Sequence, residues 1–276
     1  MTVLSHDSVS HMKVAALQMV SSACLEENLE QASSLMAQAA AAGAELVVLP
    51  EYFCFLGLND KDKLALREPL GQGPIQQYLA DHARRLGLWV FGGTLPLDSG
   101  DPARIYNTVL AYSPTGELCA RYDKIHLFGF RRGNEAYDES VSIKPGQPTP
   151  GHIMTPFGAV GLSVCYDLRF PELYRAMGPV NLILVPAAFT YTTGSAHWEV
   201  LLRARAIENQ CYVLASAQGG KHQNGRRTWG HSMIIDPWGD VMQVLPEGPG
   251  YVVATLSQQR IHDVRQSLPA LTHRVL

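Results

Sequence analysis

Three residues of complementary chemistry each stand at the end of a strand-like run: Glu51 closes AELVVLPE, Lys124 closes GELCARYDK and Cys165 closes GAVGLSVC. A thiol is a modest nucleophile until a base removes its proton. A carboxylate becomes such a base when burial raises its pKa. A lysine beside them favours the thiolate and stabilises the oxyanion that forms when a carbonyl is attacked. The backbone N–H of Tyr166, directly after the cysteine, is a natural second oxyanion donor. Together these groups would transfer an acyl group through a thioester. Each also has an ordinary reading alone: Glu51 as a solvated strand end or helix cap, Lys124 as a surface charge, Cys165 as a small buried hydrophobe. The polar run Tyr-Asp-Leu-Arg after Cys165 argues against the last of these.

What must position the three is a set of short β-branched runs alternating with helical ones. KVAALQM, ELVVLP, LWVFGGT, AVGLSVC, NLILVP, CYVLASA and YVVATLS read as strands. LEENLEQASSLMAQAAAAG reads as a helix stopped by Gly43, and GPIQQYLADHARRLG as one started by Pro74 and ended at Gly87. PELYRAMG and HWEVLLRARAIENQ are further helices, the second starting near Ser195. NTVLAYSPTGELCARYDK and GHSMIIDPWGDVMQVL are hairpins turning at SPTG and DPWGD. From about Ile125 to Pro156 the chain reads as one long irregular stretch, rich in Gly and Pro. No repeat is evident. The pattern predicts one α/β domain over residues 1–276, with residues 1–12 loosely ordered and two β layers covered by helices on their outer faces. Ligands of open α/β sheets gather beyond the carboxyl ends of strands, where Glu51, Lys124 and Cys165 all stand.

Composition narrows the function classes. The 276 residues are 46% hydrophobic and 17% charged with a formal net charge of −3, so nothing suggests a nucleic-acid or membrane-surface partner. The nearest approach to a basic patch, KHQNGRRTWG, holds only Lys221, Arg226 and Arg227 and reads as a solvated loop. Five widely spaced cysteines with no CxxC pair fit a reducing cytoplasm better than a disulfide framework or a zinc site. No apolar run approaches the roughly 18 residues of a membrane span, and the first residues hold no signal-peptide core.

LVVLPEYF, RYDKIHLF and GLSVCYDLRFPELYR resemble the three signature blocks of the nitrilase superfamily, the carbon–nitrogen hydrolases, and the likeness runs from Lys13 to about Leu256. The resemblance implies an α-β-β-α sandwich that pairs into αββααββα dimers or higher homo-oligomers, with no metal and no organic cofactor. It implies a Glu51–Lys124–Cys165 triad and a second glutamate between the lysine and the cysteine. Glu139 matches that glutamate best, ahead of Asp138 and Glu135.

The form CYDLRFPE, with AAFTYTTGSAHWEVLLRARAIENQCYVLASAQ and GKHQNGRRTWGHSMIIDPWG, is similar to the Nit branch of amidases. That implies a small amide substrate with a 2-oxoglutarate-type γ-acyl group: deaminated glutathione, which would release cysteinylglycine, ahead of α-ketoglutaramate, which would release ammonia. A carboxylate-bearing acyl group needs a cation, and Arg169 is the candidate, its alternative being an ion pair with Glu172 or Asp167. Thr190, Thr193 and His197 are candidates for the pocket wall, with Thr193 equally a helix cap and His197 a helix-start residue. A Cys–His hydrolase would instead take His126 or His231 as its base. A binding protein that has lost turnover, and an acyltransferase, are the readings from other classes.

Overall fold

Period-two burial organises the first half of the chain. In the computed structural model, which describes residues 10–133 and 135–275, strand β1 (His11–Gln18) turns Val14 and Ala16 toward the core shared by both sheets. It turns Ala15 and Leu17 the other way, beneath helix α1 (Leu25–Ala41). β2 (Leu46–Val48) and β3 (Trp89–Phe91) alternate likewise, with Leu46, Val48, Trp89 and Phe91 in the shared core and Val47, Leu49 and Val90 beneath α1 and α2 (Pro74–Leu86). Strands buried on both faces need apolar residues at every position. β1 starts earlier than the sequence predicts. His11 and Met12 pair with Ser257 and Leu256, and Met12 is buried, so the expected looseness of residues 1–12 does not hold at these two positions. Residues 1–9 lie outside the described residues.

After β3 come β4 (Leu95–Asp101), β5 (Arg104–Tyr112) and β6 (Leu118–Asp123), then the small ribbon β7 (Gly129–Arg132) with β8 (Glu135–Asp138). The second half runs β9 (Gly151–Thr155), β10 (Gly158–Leu162), α3 (Pro171–Ala176), β11 (Leu182–Ala187), α4 (Tyr191–Asn209) and β12 (Tyr212–Ala217). It closes with β13 (Ser232–Ile235), β14 (Val241–Leu245), β15 (Gly250–Ser257) and α5 (Gln258–Ser267). One sheet has the order β15-β1-β2-β3-β5-β4 with β6 on β5, and the other β14-β13-β12-β11-β10-β9. α1 and α2 pack on the first sheet and α4 on the second, giving the four-layer α-β-β-α sandwich.

The two sheets share one topology. In each, three parallel strands (β1, β2, β3 and β10, β11, β12) are bordered on both sides by antiparallel strands, β15 and β5 in one sheet and β9 and β13 in the other; β4 and β6 extend the first sheet on β5, and β14 extends the second on β13. The carboxyl ends of both parallel sets lie together: Met19, just past β1, bridges Gln218, just past β12, in parallel. The shared core and the site are thus built from two copies of one pattern that the sequence does not display.

Four features differ from the sequence expectation. β4 is the run LPLDSGD, to which the sequence pattern assigns no element because Pro, Ser and Gly interrupt it. The stretch after Ile125 is not irregular throughout, since it contains β7, β8 and β9, short strands whose exposed residues hide the alternation. α4 begins at Tyr191 rather than near Ser195, because Thr190 caps it by accepting from the Thr193 N–H at 3.3 Å. α5 was hidden by its polarity, burying only Ile261 and Val264.

Candidate active site

Glu51 is delivered by the exit of β2. The chain leaves the strand through Leu49 and Pro50, then bends sharply at Tyr52, whose φ is +57°. Gly93 permits this bend: its φ is +51°, and a β-carbon there would lie 2.1 Å from the Pro50 carbonyl oxygen. The Glu51 carboxylate is fully buried and fully bonded. Its Oε1 accepts from Lys124 Nζ and Asn107 Nδ2, each at 2.9 Å, and its Oε2 accepts from the Ala188 N–H at 2.9 Å. Gln218 Nε2 donates to the Glu51 carbonyl oxygen at 3.0 Å, anchoring the backbone too.

Lys124 follows β6 directly, and its N–H donates to the Asn107 carbonyl at 2.9 Å, so Asn107 of β5 positions both residues. Its ammonium is wholly buried between two carboxylates, 2.9 Å from Glu51 Oε1 and 2.8 Å from Glu139 Oε2. Glu139 is fixed in turn by the Tyr52 hydroxyl at 2.9 Å and the Phe128 N–H at 2.7 Å. Of the three acids considered, Glu139 alone reaches Lys124. Asp138 is exposed and caps the turn over Glu139–Val141, and exposed Glu135 accepts from Thr192 Oγ1.

Cys165 opens a 3-10 turn, Cys165–Arg169, just beyond β10. Its φ is +48°, a left-handed conformation that costs a non-glycine residue roughly 1–2 kcal/mol and that clusters at functional sites. The side chain is 7% exposed, and its thiol lies within electrostatic reach of the Glu51 carboxylate. The Tyr166 N–H lies in the first turn, where helical geometry supplies no acceptor. Asp167, which the sequence offers only as an alternative partner for Arg169, ties the turn down. Its buried carboxylate accepts from the Val164 N–H at 2.9 Å, the Tyr122 hydroxyl at 2.8 Å, the His126 N–H at 3.0 Å and His126 Nδ1 at 2.7 Å.

The rival base is therefore engaged elsewhere. β6 ends at Asp123, so no strand alternation brings His126 back to the face of Lys124. Instead its ring is held by Asp167 and stacks on Phe170, with centroids 3.7 Å apart. His231 stacks on Trp229, 4.0 Å between centroids, and does not line the cavities around Cys165.

Burial and charge set four different proton affinities in this cluster. Burial pushes the Glu51 carboxyl above the ordinary carboxylate range; Lys124 pulls it back and Glu139 adds to the rise. Burial opposes ionisation of Glu139 as well, but Lys124 and the hydrogen bonds outweigh it and hold Glu139 low. Burial works against the Lys124 ammonium, yet Glu139 and Glu51 together keep it firmly protonated. Burial, and next the Glu51 charge, push the Cys165 thiol well up, with Lys124 only partly offsetting them. The resting arrangement is a neutral thiol beside a carboxylate of raised basicity, rather than a preformed thiolate.

The sequence profile of the carbon–nitrogen hydrolases matches residues 13–266. This chain belongs to the carbon–nitrogen hydrolase family. It is 45% identical over 267 residues to the deaminated glutathione amidase of Synechocystis sp., covering 95% of this chain and 97% of that one. Among solved structures, Nit3 of Saccharomyces cerevisiae, a member of branch 10 of the nitrilase superfamily, superposes with a TM-score of 0.86 at 30% identity, covering 98% of each chain. A variant of the amidase from Nesterenkonia sp. AN1, showing Michael addition of acrylamide at its active-site cysteine, superposes with a TM-score of 0.76 at 27% identity over 94% of this chain and 98% of that one.

In this hydrolase two cavities meet at Cys165. The larger is walled by Tyr52, Lys63, Tyr137, Glu139 and Arg226, among others. The smaller is lined by Phe128, Tyr166, Arg169, Phe189, Thr190 and Thr193. Arg169 stands over the Phe189 ring at 5.3 Å and contacts His197 Nδ1 at 3.2 Å; neither Glu172 nor Asp167 pairs with it. Thr190 and Thr193 reach the cavity with hydroxyls 2.9 Å apart. His197 does not reach it: it sits on the exposed side of α4 and touches the site only through Arg169. Asn107, Gln218, Tyr52 and Lys63 are residues the sequence does not point to, and Asp167 appears there only as an alternative partner for Arg169. Among the described residues no group of three or more His, Cys, Asp and Glu could hold a metal ion, and no helix is long and apolar enough to cross a membrane.

Proposed function

We propose that this chain is an amidase that hydrolyses deaminated glutathione to 2-oxoglutarate and cysteinylglycine through a thioester on Cys165. The observation that carries the reading is the buried Glu51–Lys124–Cys165 cluster placed where the two cavities meet. A Synechocystis relative of that name at 45% identity supports the choice of substrate.

The steps follow from the proton affinities. Glu51 takes the thiol proton as Sγ attacks the amide carbon, so thiolate forms only in concert with attack. The oxyanion is held by Lys124 and the Tyr166 N–H. Glu51, now an acid, gives its proton to the departing amine nitrogen as the C–N bond breaks, leaving the acyl group on Sγ. Glu51 then accepts a proton from water as the water oxygen attacks the thioester. The acid departs, and Sγ recovers its proton from Glu51. Glu139 keeps Lys124 charged throughout, and its own depressed pKa excludes it from proton transfer. Proton transfer and oxyanion donation are each worth orders of magnitude in rate. Arg169, with Thr190 and Thr193, takes the carboxylate of the acyl group in the smaller cavity, where among the described residues its guanidinium has no carboxylate partner.

The reading takes the chain as one catalytic domain. Its five free cysteines support a cytoplasmic setting. The exposed Val200, Ile207 and Trp238, on and beside α4, support pairing of subunits through that face. Intact mass spectrometry of wild type and Cys165→Ala, mixed with deaminated glutathione and in parallel with α-ketoglutaramate, tests the activity. A Cys165-dependent acyl adduct with release of cysteinylglycine is expected. A much higher kcat/KM for ammonia release from α-ketoglutaramate would make the chain an ω-amidase. Hydroxylamine should intercept the thioester, and a protein without turnover would yield no hydroxamate.

A further inference from the structure

Deaminated glutathione carries one carboxylate on its acyl part and another at the glycine end of its leaving group, and the site offers cations on two sides of Cys165. In the larger cavity most of them are already engaged. Arg226 pairs with Asp60 over the Tyr137 ring, and Arg227 pairs with Glu247 while stacking on Tyr191; Lys124, held between two carboxylates, lies behind the wall. Lys63 is different. It stands in the 3-10 turn Asp62–Leu66, part-buried, with Nζ 3.3 Å from Ser142 Oγ and 5.2 Å from the centre of the Tyr52 ring. Among the described residues no carboxylate lies within ion-pair distance of it. Glu139 and Asp60 are within electrostatic reach, but they are bonded to Lys124 and Arg226. Burial lowers the Lys63 pKa, the mark of an ammonium short of an anion.

A cation withdrawn from water without a counter-ion is costly unless something supplies the anion. Lys63 lines the larger cavity, and the smaller already places Arg169 for the acyl carboxylate. We propose that Lys63 is a specificity residue that binds the terminal carboxylate of the cysteinylglycine leaving group. This rests on the substrate reading above and adds to it which wall of the site recognises which end of the molecule.

The test compares deaminated glutathione with its C-terminal glycinamide analogue, in wild type, Lys63→Met and Lys63→Arg. A charge-assisted hydrogen bond of this kind is worth about tenfold to a hundredfold. Wild type should prefer the free acid by that factor in kcat/KM, chiefly through KM. In Lys63→Met the preference should fall to about one, and Lys63→Arg should recover most of it. The ratio is the readout because removing a charge near Glu139 affects both substrates alike. If wild type cleaves both but Lys63→Met keeps the full preference, or if wild type has none, Lys63 does not read this carboxylate although the amidase assignment stands. If wild type cleaves neither dipeptide amide yet turns over α-ketoglutaramate, the substrate reading itself falls and the role of Lys63 with it.

Discussion

Replacing Asp167 by Asn tests whether the turn that carries Cys165 is held by that carboxylate. Two oxygens accept four donors: Oδ1 takes the His126 N–H and Nδ1, and Oδ2 takes the Val164 N–H and the Tyr122 hydroxyl. An asparagine must turn its NH₂ toward one of these pairs. His126 can change tautomer and Tyr122 can rotate its hydroxyl, but neither backbone N–H can become an acceptor. Either flip therefore leaves a buried N–H facing another donor. That costs about 1–3 kcal/mol, and losing the charge on the remaining bonds brings the total to about 2–4 kcal/mol. At roughly 2–4 °C per kcal/mol the melting temperature should fall by about 5–15 °C. Val164 adjoins Cys165, whose positive φ persists only while its surroundings enforce it. Release should displace Sγ from Glu51 and lower kcat by about 10–100-fold, since misplacement by an ångström can cost 10²-fold. Thermal melts, urea titrations and steady-state kinetics read these effects separately. Tyr122→Phe, which removes one donor and strands none, should cost only about 1–2 kcal/mol. An Asp167→Asn enzyme with wild-type melting temperature and kcat would refute the reasoning; one that is destabilised but fully active would show that Cys165 holds its conformation without Asp167.

Three further outcomes follow from the same geometry. Activity should fall as pH drops through the pKa of Glu51, which burial and Glu139 raise, so Glu139→Gln should move the acid limb of kcat/KM to lower pH while lowering kcat about tenfold or more; a pH–rate profile with an unmoved limb would count against the coupling. Because the Glu51 charge helps push the Cys165 thiol up, Glu51→Gln should be alkylated by iodoacetamide faster than wild type at neutral pH yet hydrolyse no amide, a combination that peptide mapping and turnover assays would separate. Gly93→Ala should destabilise by about 2–5 kcal/mol, from the left-handed backbone and the overlap with Pro50, with activity falling as Glu51 shifts; a melting temperature within a degree of wild type would contradict it.

Glu51 and Cys165 stand out in the sequence because each follows an apolar strand, whereas Lys124 follows the mixed run LCARYD and stands out only by its place at the end of a hairpin. The sheets were legible through their apolar strands. Glu139 came from family resemblance rather than from any local pattern, since it sits in a stretch of short exposed strands. Asn107 and Gln218 could not be read. They lie 56 and 167 residues from Glu51 in sequence, and whether a polar residue in a strand faces the site depends on how the sheets stack. The sequence around Arg169 offers an ion pair with Glu172 or Asp167 as an alternative, and the structure gives it cavity and aromatic contacts instead. His197 was flagged for its neighbours, but the earlier start of α4 turns it outward.

The duplicated topology explains why the site is where it is. Each half presents a central parallel strand, β2 in one and β11 in the other, and the chain just past each carries groups that its own sheet does not satisfy. Past β2 the unsatisfied group is the Glu51 carboxylate; past β11 it is the Ala188 N–H, and the two bond to one another at 2.9 Å. One half thus supplies the charge and the other a fixed dipole that positions it. Cys165 comes from the second half, just past β10, and reaches Glu51 only because the sheets stack with their carboxyl ends together. Lys124 comes from the β5–β6 hairpin of the first half, and Glu139 from the segment that crosses to the second. Neither half holds both a nucleophile and a base, so cutting the chain between them should leave fragments with no turnover of their own. The chemistry depends on the contact between the sheets, which also buries Glu51 and gives it the basicity the reaction needs.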